Sequence, residues 1–211
     1  MKLETIKNKT DKLLLFDKKS LKMLEKDDNA LNSNIKYWLK NSDLIALKKG
    51  IYIFKERYNQ ESKKDDYLEY IANQLIQPSY VSLEYVMAKY QLLSEPARAI
   101  TSITVKNPRE FYNSLGVWRY YSLPIKLFVG YKIKYFQGQP IAEATKAKAV
   151  FDFLYLRFRR GVKANRQNID DLRLNWENLN KQDLKELNSY FELIGQKRYE
   201  YFKKLITEYV N

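Results

Sequence analysis

The chain has 211 residues, of which 45% are hydrophobic and 15% aromatic, and its formal net charge is +13. This length and composition are typical of one large or two small globular domains and exclude a disordered chain. Cysteine and histidine are absent, which excludes disulfides, zinc sites of the Cys/His type, thiol nucleophiles and imidazole acid–base catalysis.

The sequence also bears on the environment and partners of the protein. No run approaches the roughly eighteen apolar residues of a membrane span, and the N-terminus lacks the apolar segment of a signal peptide, so we expect a cytoplasmic protein. The positive charge favours a polyanionic partner, because neutralised phosphates release counterions. Charge alone is weak evidence, since lysine is common on solvated surfaces and abundant throughout this chain.

Residues 2–41 contain three segments with helical spacing of apolar residues. The first lies within residues 2–15, and the second follows Asp17, whose carboxylate can cap a helix by accepting free N–H groups of its first turn. The third carries one apolar stripe, formed by Leu31, Ile35, Trp38 and Leu39. Its opposite side presents Asn32, Ser33, Lys36, Tyr37 and Lys40.

After Asp43 the pattern changes to two strand-like runs, residues 44–47 and 51–54, joined by Lys48, Lys49 and Gly50. A three-residue loop that ends in Gly is common in β-hairpins, because Gly adopts the left-handed conformation without strain. Three helices followed by a hairpin with a basic tip is the order of a winged helix-turn-helix, which reads duplex DNA.

In that arrangement the third helix lies in the major groove and the hairpin tip contacts backbone or minor groove. Asn side chains suit adenine edges, and Lys suits guanine edges or phosphates. The predicted DNA contacts are therefore Asn32, Ser33, Lys36, Tyr37, Lys40, Lys48 and Lys49. The alternative is a small helical subdomain in which the two loop lysines are ordinary turn residues.

The expected fold class is α+β, with a winged helix-turn-helix over residues 1–56 and a larger α+β domain over residues 67–211. Residues 57–66 are almost wholly charged or polar, which is typical of a linker.

The larger domain is built around residues 100–136, which are rich in β-branched and aromatic side chains. Gly116 and Gly130 interrupt this stretch as turns or bulges do, and helical segments flank it on both sides. We predict a mainly antiparallel sheet flanked by helices.

A second basic surface is possible near residue 160, where Arg157, Arg159, Arg160, Lys163 and Arg166 cluster. It could bind nucleic acid or an acidic protein, because arginine suits planar phosphate and carboxylate groups. A solvated helix end with favourable cations near a helix C-terminus is an equally good interpretation.

The sequence contains no recognisable catalytic motif, and we expect no catalytic residue, cofactor or metal. It has no glycine-rich phosphate loop. A magnesium-dependent nuclease would use Glu143, Lys146 and Asp152, but Glu143 and Lys146 are three residues apart, where the Glu-x-Lys pattern requires two. Asp152 lies among apolar residues, as a helix-internal acid does.

Several segments, taken in order and spacing, resemble the AbiEi family of antitoxins from type IV toxin–antitoxin systems. They are Gly50–Tyr52, Pro78–Glu95, Ile100–Thr104, Phe111–Tyr120, Leu123–Tyr131 and Ala144–Leu156. One departure is Ala147, which stands where the family usually has Glu before the Lys148 position.

The resemblance implies a non-enzymatic, DNA-binding antitoxin. Its N-terminal winged helix would bind an operator in double-stranded DNA and repress its own operon, and its C-terminal domain would counteract a nucleotidyltransferase-like toxin. That opposition does not require a stable complex of the two proteins. Alternatives are a protein-interaction module that no longer reads DNA and the nuclease considered above.

Overall fold

The computed structural model describes residues 3–10, 13–23, 25–159 and 165–210. Contacts between residues divide the chain into two compact units. The first comprises residues 1–71 and 111–117, and the second comprises residues 72–110 and 118–211.

The first unit combines helices with a three-stranded sheet. Its elements are α1 (Leu3–Thr10), β1 (Phe16–Asp17), α2 (Lys18–Lys22), α3 (Asp28–Lys40), β2 (Leu44–Lys48), β3 (Ile51–Phe54), α4 (Lys55–Gln60) and the start of α5 (Lys64–Leu75). The strand order is β1-β3-β2, and both pairs are antiparallel. The expected helices and hairpin are present, with an additional two-residue strand before α2.

Capping residues determine where α2 and α3 begin. The Asp17 side chain accepts the Ser20 N–H at 2.8 Å, which confirms the predicted cap. Asp27 does the same for α3, accepting the Asn29 and Ala30 N–H groups at 2.8 and 3.3 Å. An acidic cap satisfies orphan N–H groups and complements the positive end of the helix dipole.

One apolar cluster forms the core of the first unit. It contains Ile6, Phe16, Leu21, Leu31, Ile35, Trp38, Leu44, Tyr52 and Phe54. The predicted stripe of α3 is confirmed, because Leu31, Ile35 and Trp38 are buried in this cluster and Leu39 packs against it.

The hairpin differs slightly from the prediction. Strand β2 continues to Lys48, so the loop is shortened to Lys49 and Gly50, and the ladder is irregular between Ala46 and Lys48. Gly50 has φ +81°, the left-handed conformation that was expected of it. The segment predicted as a linker, residues 57–66, contains the end of α4 and the start of α5.

The second unit is built on a six-stranded sheet with helices, although residues 111–117, which include parts of two of its strands, are assigned to the first unit. Its further elements are β4 (Ser79–Val81), α6 (Leu83–Lys89), β5 (Ile100–Thr104), β6 (Arg109–Asn113), β7 (Gly116–Ser122), β8 (Tyr131–Phe136), β9 (Gln139–Ala144), α7 (Lys146–Phe158), α8 (Arg166–Asp170), α9 (Lys181–Ile194) and α10 (Lys197–Val210). Two 3₁₀ turns span Ile125–Leu127 and Trp176–Asn178. The strand order is β6-β7-β5-β4-β9-β8.

The α+β class is therefore correct, but the sheet is mixed. Strands β4 and β5 are antiparallel, as are β8 and β9, whereas β5–β7 and β4–β9 are parallel. Parallel neighbours need a crossover connection rather than a hairpin. Local alternation of side chains cannot reveal which strands a crossover brings together.

An ion pair is enclosed between the sheet and α7. Lys148 and Asp152, one helical turn apart, have completely buried side chains, and their Nζ and Oδ1 atoms are 2.5 Å apart. Tyr80 and Ser82 of the β4 segment donate hydroxyl hydrogens to Asp152 Oδ2 at 3.0 and 2.8 Å. Lys148 Nζ also donates to the Leu127 carbonyl at 2.8 Å and lies 4.6 Å from the Phe151 ring centroid.

These partners compensate for removing two charges from water. Burial raises the pKa of the Asp152 carboxyl and lowers the pKa of the Lys148 amine, because desolvation disfavours the charged form of each. The attraction between the two groups opposes both shifts. Removing one partner would leave the other charge buried and uncompensated.

We expect Lys148→Met to destabilise the protein by about 3 to 5 kcal/mol at neutral pH, because it leaves the Asp152 carboxylate buried without a cation. Urea unfolding measures the loss. Lys148→Met/Asp152→Asn should be more stable than Lys148→Met, since the amide carries no charge.

In Lys148→Met the folded-state pKa of Asp152 lies above its unfolded value, so protonation stabilises the variant. The difference in unfolding free energy between this variant and the parent should shrink as the pH falls toward about 3.9, the ordinary pKa of Asp. A difference independent of pH, or a double variant less stable than the single one, would contradict this account.

A close approach at Gly130 encloses the same region. A Cβ atom there would lie 2.1 Å from Tyr190 Oη and 3.0 Å from Lys148 Cδ, and the φ angle is +79°. Gly138 has φ +77° with open space around a Cβ position, so it is a matched control for the backbone strain alone.

Gly138→Ala should cost about 1 to 2 kcal/mol from the left-handed backbone. Gly130→Ala should cost a further ~1 to 3 kcal/mol, because Tyr190 must move away from Glu186, whose Oε1 its hydroxyl contacts at 2.6 Å. Thermal or urea unfolding of both variants checks the difference, and equal losses would refute the steric argument.

Candidate nucleic-acid interface

Helix α3 separates polar from apolar side chains. All five residues of its predicted polar face are exposed: Asn32, Ser33, Lys36, Tyr37 and Lys40. They recur at intervals of one, three or four residues, which places them on one side of an α-helix. Within the described chain, neither Lys36 nor Lys40 forms an ion pair. This face therefore presents two uncompensated cations, an amide and two hydroxyl groups to solvent.

The opposite side of α3 packs into the core of the first unit. Its apolar stripe is buried, and the chain that follows is fixed by backbone hydrogen bonds from Asp43 N–H to the Trp38 carbonyl and from Lys55 N–H to the Asp43 carbonyl. With 13 residues, the helix is about 20 Å long. A helix of this size fits the major groove of B-DNA, which admits one α-helix.

The carboxylate of Asp28, the first residue of α3, forms an ion pair with a lysine of the same unit. Lys22 Nζ lies 2.8 Å from Asp28 Oδ2, and its hydrogen bond lowers the pKa of the Asp28 carboxyl. This pairing reduces the repulsion that an uncompensated carboxylate would exert on a nearby phosphate.

The two lysines of the predicted hairpin tip are placed differently. Lys49 is exposed in the two-residue loop. Lys48 is half-buried, and its Nζ lies 5.9 Å from the centroid of the Phe111 ring in the same unit. Asn113 Nδ2 also donates to the Leu47 carbonyl at 3.3 Å. Lys49 is thus the tip cation, and Lys48 is the last residue of β2, next to the turn.

Phe111 and Asn113 were not predicted to take part in this region. They are about sixty residues from the hairpin in sequence, and no local pattern connects the two segments. Periodicity could not predict them, because only information on which distant residues are in contact would reveal their position.

No comparison with known proteins identifies this chain. Searches of protein-family models, curated proteins and solved structures find no match. None of the helices within residues 3–10, 13–23, 25–159 and 165–210 combines the length and apolar character needed to cross a bilayer.

The possible second basic surface is only partly described. Arg157 and Arg159 are exposed near the end of α7. Arg160 and Lys163 lie outside the described residues. Arg166 pairs with the Glu208 carboxylate, and its guanidinium lies 5.7 Å from the centroid of the Tyr209 ring. Arg166 therefore acts in packing α8 against α10.

The three residues considered for a nuclease site have separate partners. Asp152 forms an ion pair with Lys148, whereas Glu143 forms ion pairs with Lys89 and Lys134. Lys146 lies 2.7 Å from Asp183. Across the described part of the chain, no three Asp or Glu side chains are grouped closely enough to hold a metal ion.

Proposed function

We propose that the segment from α1 to β3 is a winged helix-turn-helix that binds duplex DNA. Supporting this are the order of its elements and the antiparallel strand order β1-β3-β2. In this proposal α3 is the recognition helix, and the β2–β3 hairpin is the wing.

The observation that carries the proposal is the exposed polar face of α3. Its amide and lysine side chains match the acceptors and donors of base edges, and its cations can neutralise phosphates. Lys49 at the wing tip is placed to contact the sugar–phosphate backbone or the minor groove. Such a module selects sequence with the helix and gains general affinity from the wing.

The wing and the helix should have separable effects on DNA binding. Lys49→Ala should weaken binding to all duplexes about equally and reduce the salt slope by about 1, because one phosphate contact is lost. Asn32→Ala and Lys36→Ala should change base preference, each costing about 1 to 3 kcal/mol on the best site. Fluorescence anisotropy with the promoter of the protein's own operon, over a range of salt concentrations, measures both effects.

Lys185→Ala is the matched control. This lysine is exposed on α9 in the second unit and forms no ion pair within the described residues. Substituting it removes the same charge without touching the proposed interface. If Lys185→Ala and Lys36→Ala lost the same DNA affinity, the binding would be non-specific electrostatic attraction. The assignment of α3 as recognition helix would then be wrong.

We further propose that the protein is the antitoxin of a type IV toxin–antitoxin system. It would repress its own operon and counteract a nucleotidyltransferase-like toxin. The support is the AbiEi resemblance, whose first segment falls on β3 and whose other segments fall on elements from β4 to α7. The proposal assigns DNA binding to the first unit and neutralisation to the second.

Neutralisation should therefore survive loss of operator binding. In a growth assay with the nucleotidyltransferase-like toxin that the proposal expects to be encoded beside this protein, Asn32→Ala/Lys36→Ala should restore growth as well as the parent, although it no longer represses a promoter fusion. Both proteins are expressed from an unrelated promoter, so that repression cannot change the dose. Loss of growth rescue at equal protein levels would contradict the separation, and failure of the parent to rescue would reject the antitoxin role.

A further inference from the structure

Strand β8 lies at one end of the six-stranded sheet and exposes apolar side chains. Among the described strands it pairs with β9 alone. Tyr131, Ile133 and Tyr135 are 38%, 49% and 71% exposed. Just before the strand, Ile125 and Val129 are 74% and 40% exposed. An exposed edge with contiguous apolar side chains is a common site of protein interaction.

The hydrogen-bond pattern shows which backbone groups face outward. The Ala142 N–H donates to Asn73 Oδ1 at 2.7 Å, and Asn73 Nδ2 donates to the Ala142 carbonyl at 3.3 Å. Both groups of Ala142 therefore point away from β8. Opposite residues in an antiparallel pair alternate between bonded and non-bonded pairs, so Ile133, the partner of Ala142, directs its own N–H and carbonyl to the open edge.

The alternation extends along the strand. Thr145 N–H donates to the Gly130 carbonyl at 3.1 Å, which places Gly130 in a bonded pair and Tyr131 in a non-bonded one. Tyr131, Ile133 and Tyr135 thus offer three N–H groups and three carbonyls in the geometry of a sheet edge. They could bond an incoming extended segment.

The two faces of β8 differ in chemistry. Tyr131 and Ile133 line a cavity of about 440 Å³ together with Phe128, Pro140 and Ala142. Lys132 and Lys134 line a second cavity of about 480 Å³, together with Lys146 and the carboxylates of Glu143, Asp183 and Glu186. Because strand side chains alternate between faces, a segment added to β8 would direct alternate side chains to an apolar groove and to a lysine-lined groove.

Three carboxylates share the lysine-lined groove, and one of them, Glu186, accepts hydrogen bonds from the hydroxyls of Thr145 and Tyr190. Lys134 lies 3.3 Å from Glu143, and Lys146 lies 2.7 Å from Asp183. Lys132 forms no ion pair within the described residues, and neither does the exposed Lys126 near the start of the strand. An acidic side chain on an added segment would give Lys132 an ion-pair partner.

A second copy of the chain is a poor occupant of the same edge. Residues 131–135 read Tyr-Lys-Ile-Lys-Tyr, which is symmetric about Ile133. A two-fold antiparallel pairing centred there would place Lys132 of each copy opposite Lys134 of the other. Like charges directly opposite each other destabilise a strand pair.

We propose that β8 is a docking edge for an extended segment of a partner protein in which acidic residues alternate with apolar ones. Backbone hydrogen bonds to Tyr131, Ile133 and Tyr135 would provide affinity. The acidic residues would face Lys132 and Lys134, and the apolar residues would face the Tyr131–Ile133 groove. This is strand addition to a sheet edge, and it does not depend on the proposed DNA-binding role.

The test uses the full chain and a fluorescein-labelled peptide of five Glu-Val repeats. The parent should bind it, and a Lys-Val peptide of equal length should bind much more weakly. Ile133→Pro removes an outward N–H without breaking the ladder to β9, and it should weaken binding roughly tenfold by disrupting backbone pairing. Circular dichroism and the urea midpoint verify that this variant is folded.

Lys132→Glu provides an independent measurement that needs no backbone change. It should weaken binding of the Glu-Val peptide and strengthen binding of the Lys-Val peptide, whereas Lys185→Glu on α9 should leave the preference unchanged. A Glu-Val peptide methylated on alternate backbone nitrogens should lose affinity for the parent.

Several results would overturn the proposal. They are no binding of the Glu-Val peptide to the parent, equal binding of the two peptides, and insensitivity to both Ile133→Pro and Lys132→Glu. A parent dimer that Ile133→Pro converts to monomer, measured by sedimentation, would assign the edge to a second copy. Displacement of the peptide by a single-stranded oligonucleotide, through Lys132, would assign it to nucleic acid.

Discussion

The buried Lys148–Asp152 ion pair sets the arrangement of the second unit. Two charges removed from water are tolerated only when every remaining hydrogen-bonding group has a partner. Asp152 receives hydroxyl hydrogens from Tyr80 and Ser82, and Lys148 donates to the Leu127 carbonyl. These contacts join α7, the β4 segment and the turn before β8. A shift of α7 by one residue would break all of them, so the pair favours a single register of α7.

The same interaction explains the glycine at position 130. The chain must pass close to Tyr190 and Lys148 as it leaves the Leu127 turn, and only a residue without a Cβ atom fits. The strand that follows is β8, the edge of the sheet. Gly130 therefore lies between the buried pair and the first residue of the exposed Tyr-Lys-Ile-Lys-Tyr segment, next to the surface proposed for docking.

The first unit keeps the lysines of its proposed interface in solvent. Its main core cluster is apolar, although Glu69 of α5 is also buried, and the lysines of α3 and Lys49 remain in water. A charge in solvent costs little and stays available to a polyanion, whereas a charge in the interior is committed to one partner. The proposed roles of the charged residues follow from whether they are exposed or buried. Recognition of DNA is assigned to residues that the fold leaves unpaired, and the buried charges of the second unit serve its structure.

The sequence by itself determined the three helices and the hairpin of the first unit, but not β1 or α4. The spacing of Leu31, Ile35 and Trp38 predicted both the helix and its buried face, since a period of 3.6 residues is local information. Tertiary structure alone decided the mixed order of the larger sheet, the contact of Lys48 with Phe111 and the complete burial of Lys148. Each depends on segments far apart in the chain that packing brings together, and no window of neighbouring residues records which segments those are. The open edge at β8 is of the same kind, because a strand becomes an edge only when the sheet around it is complete.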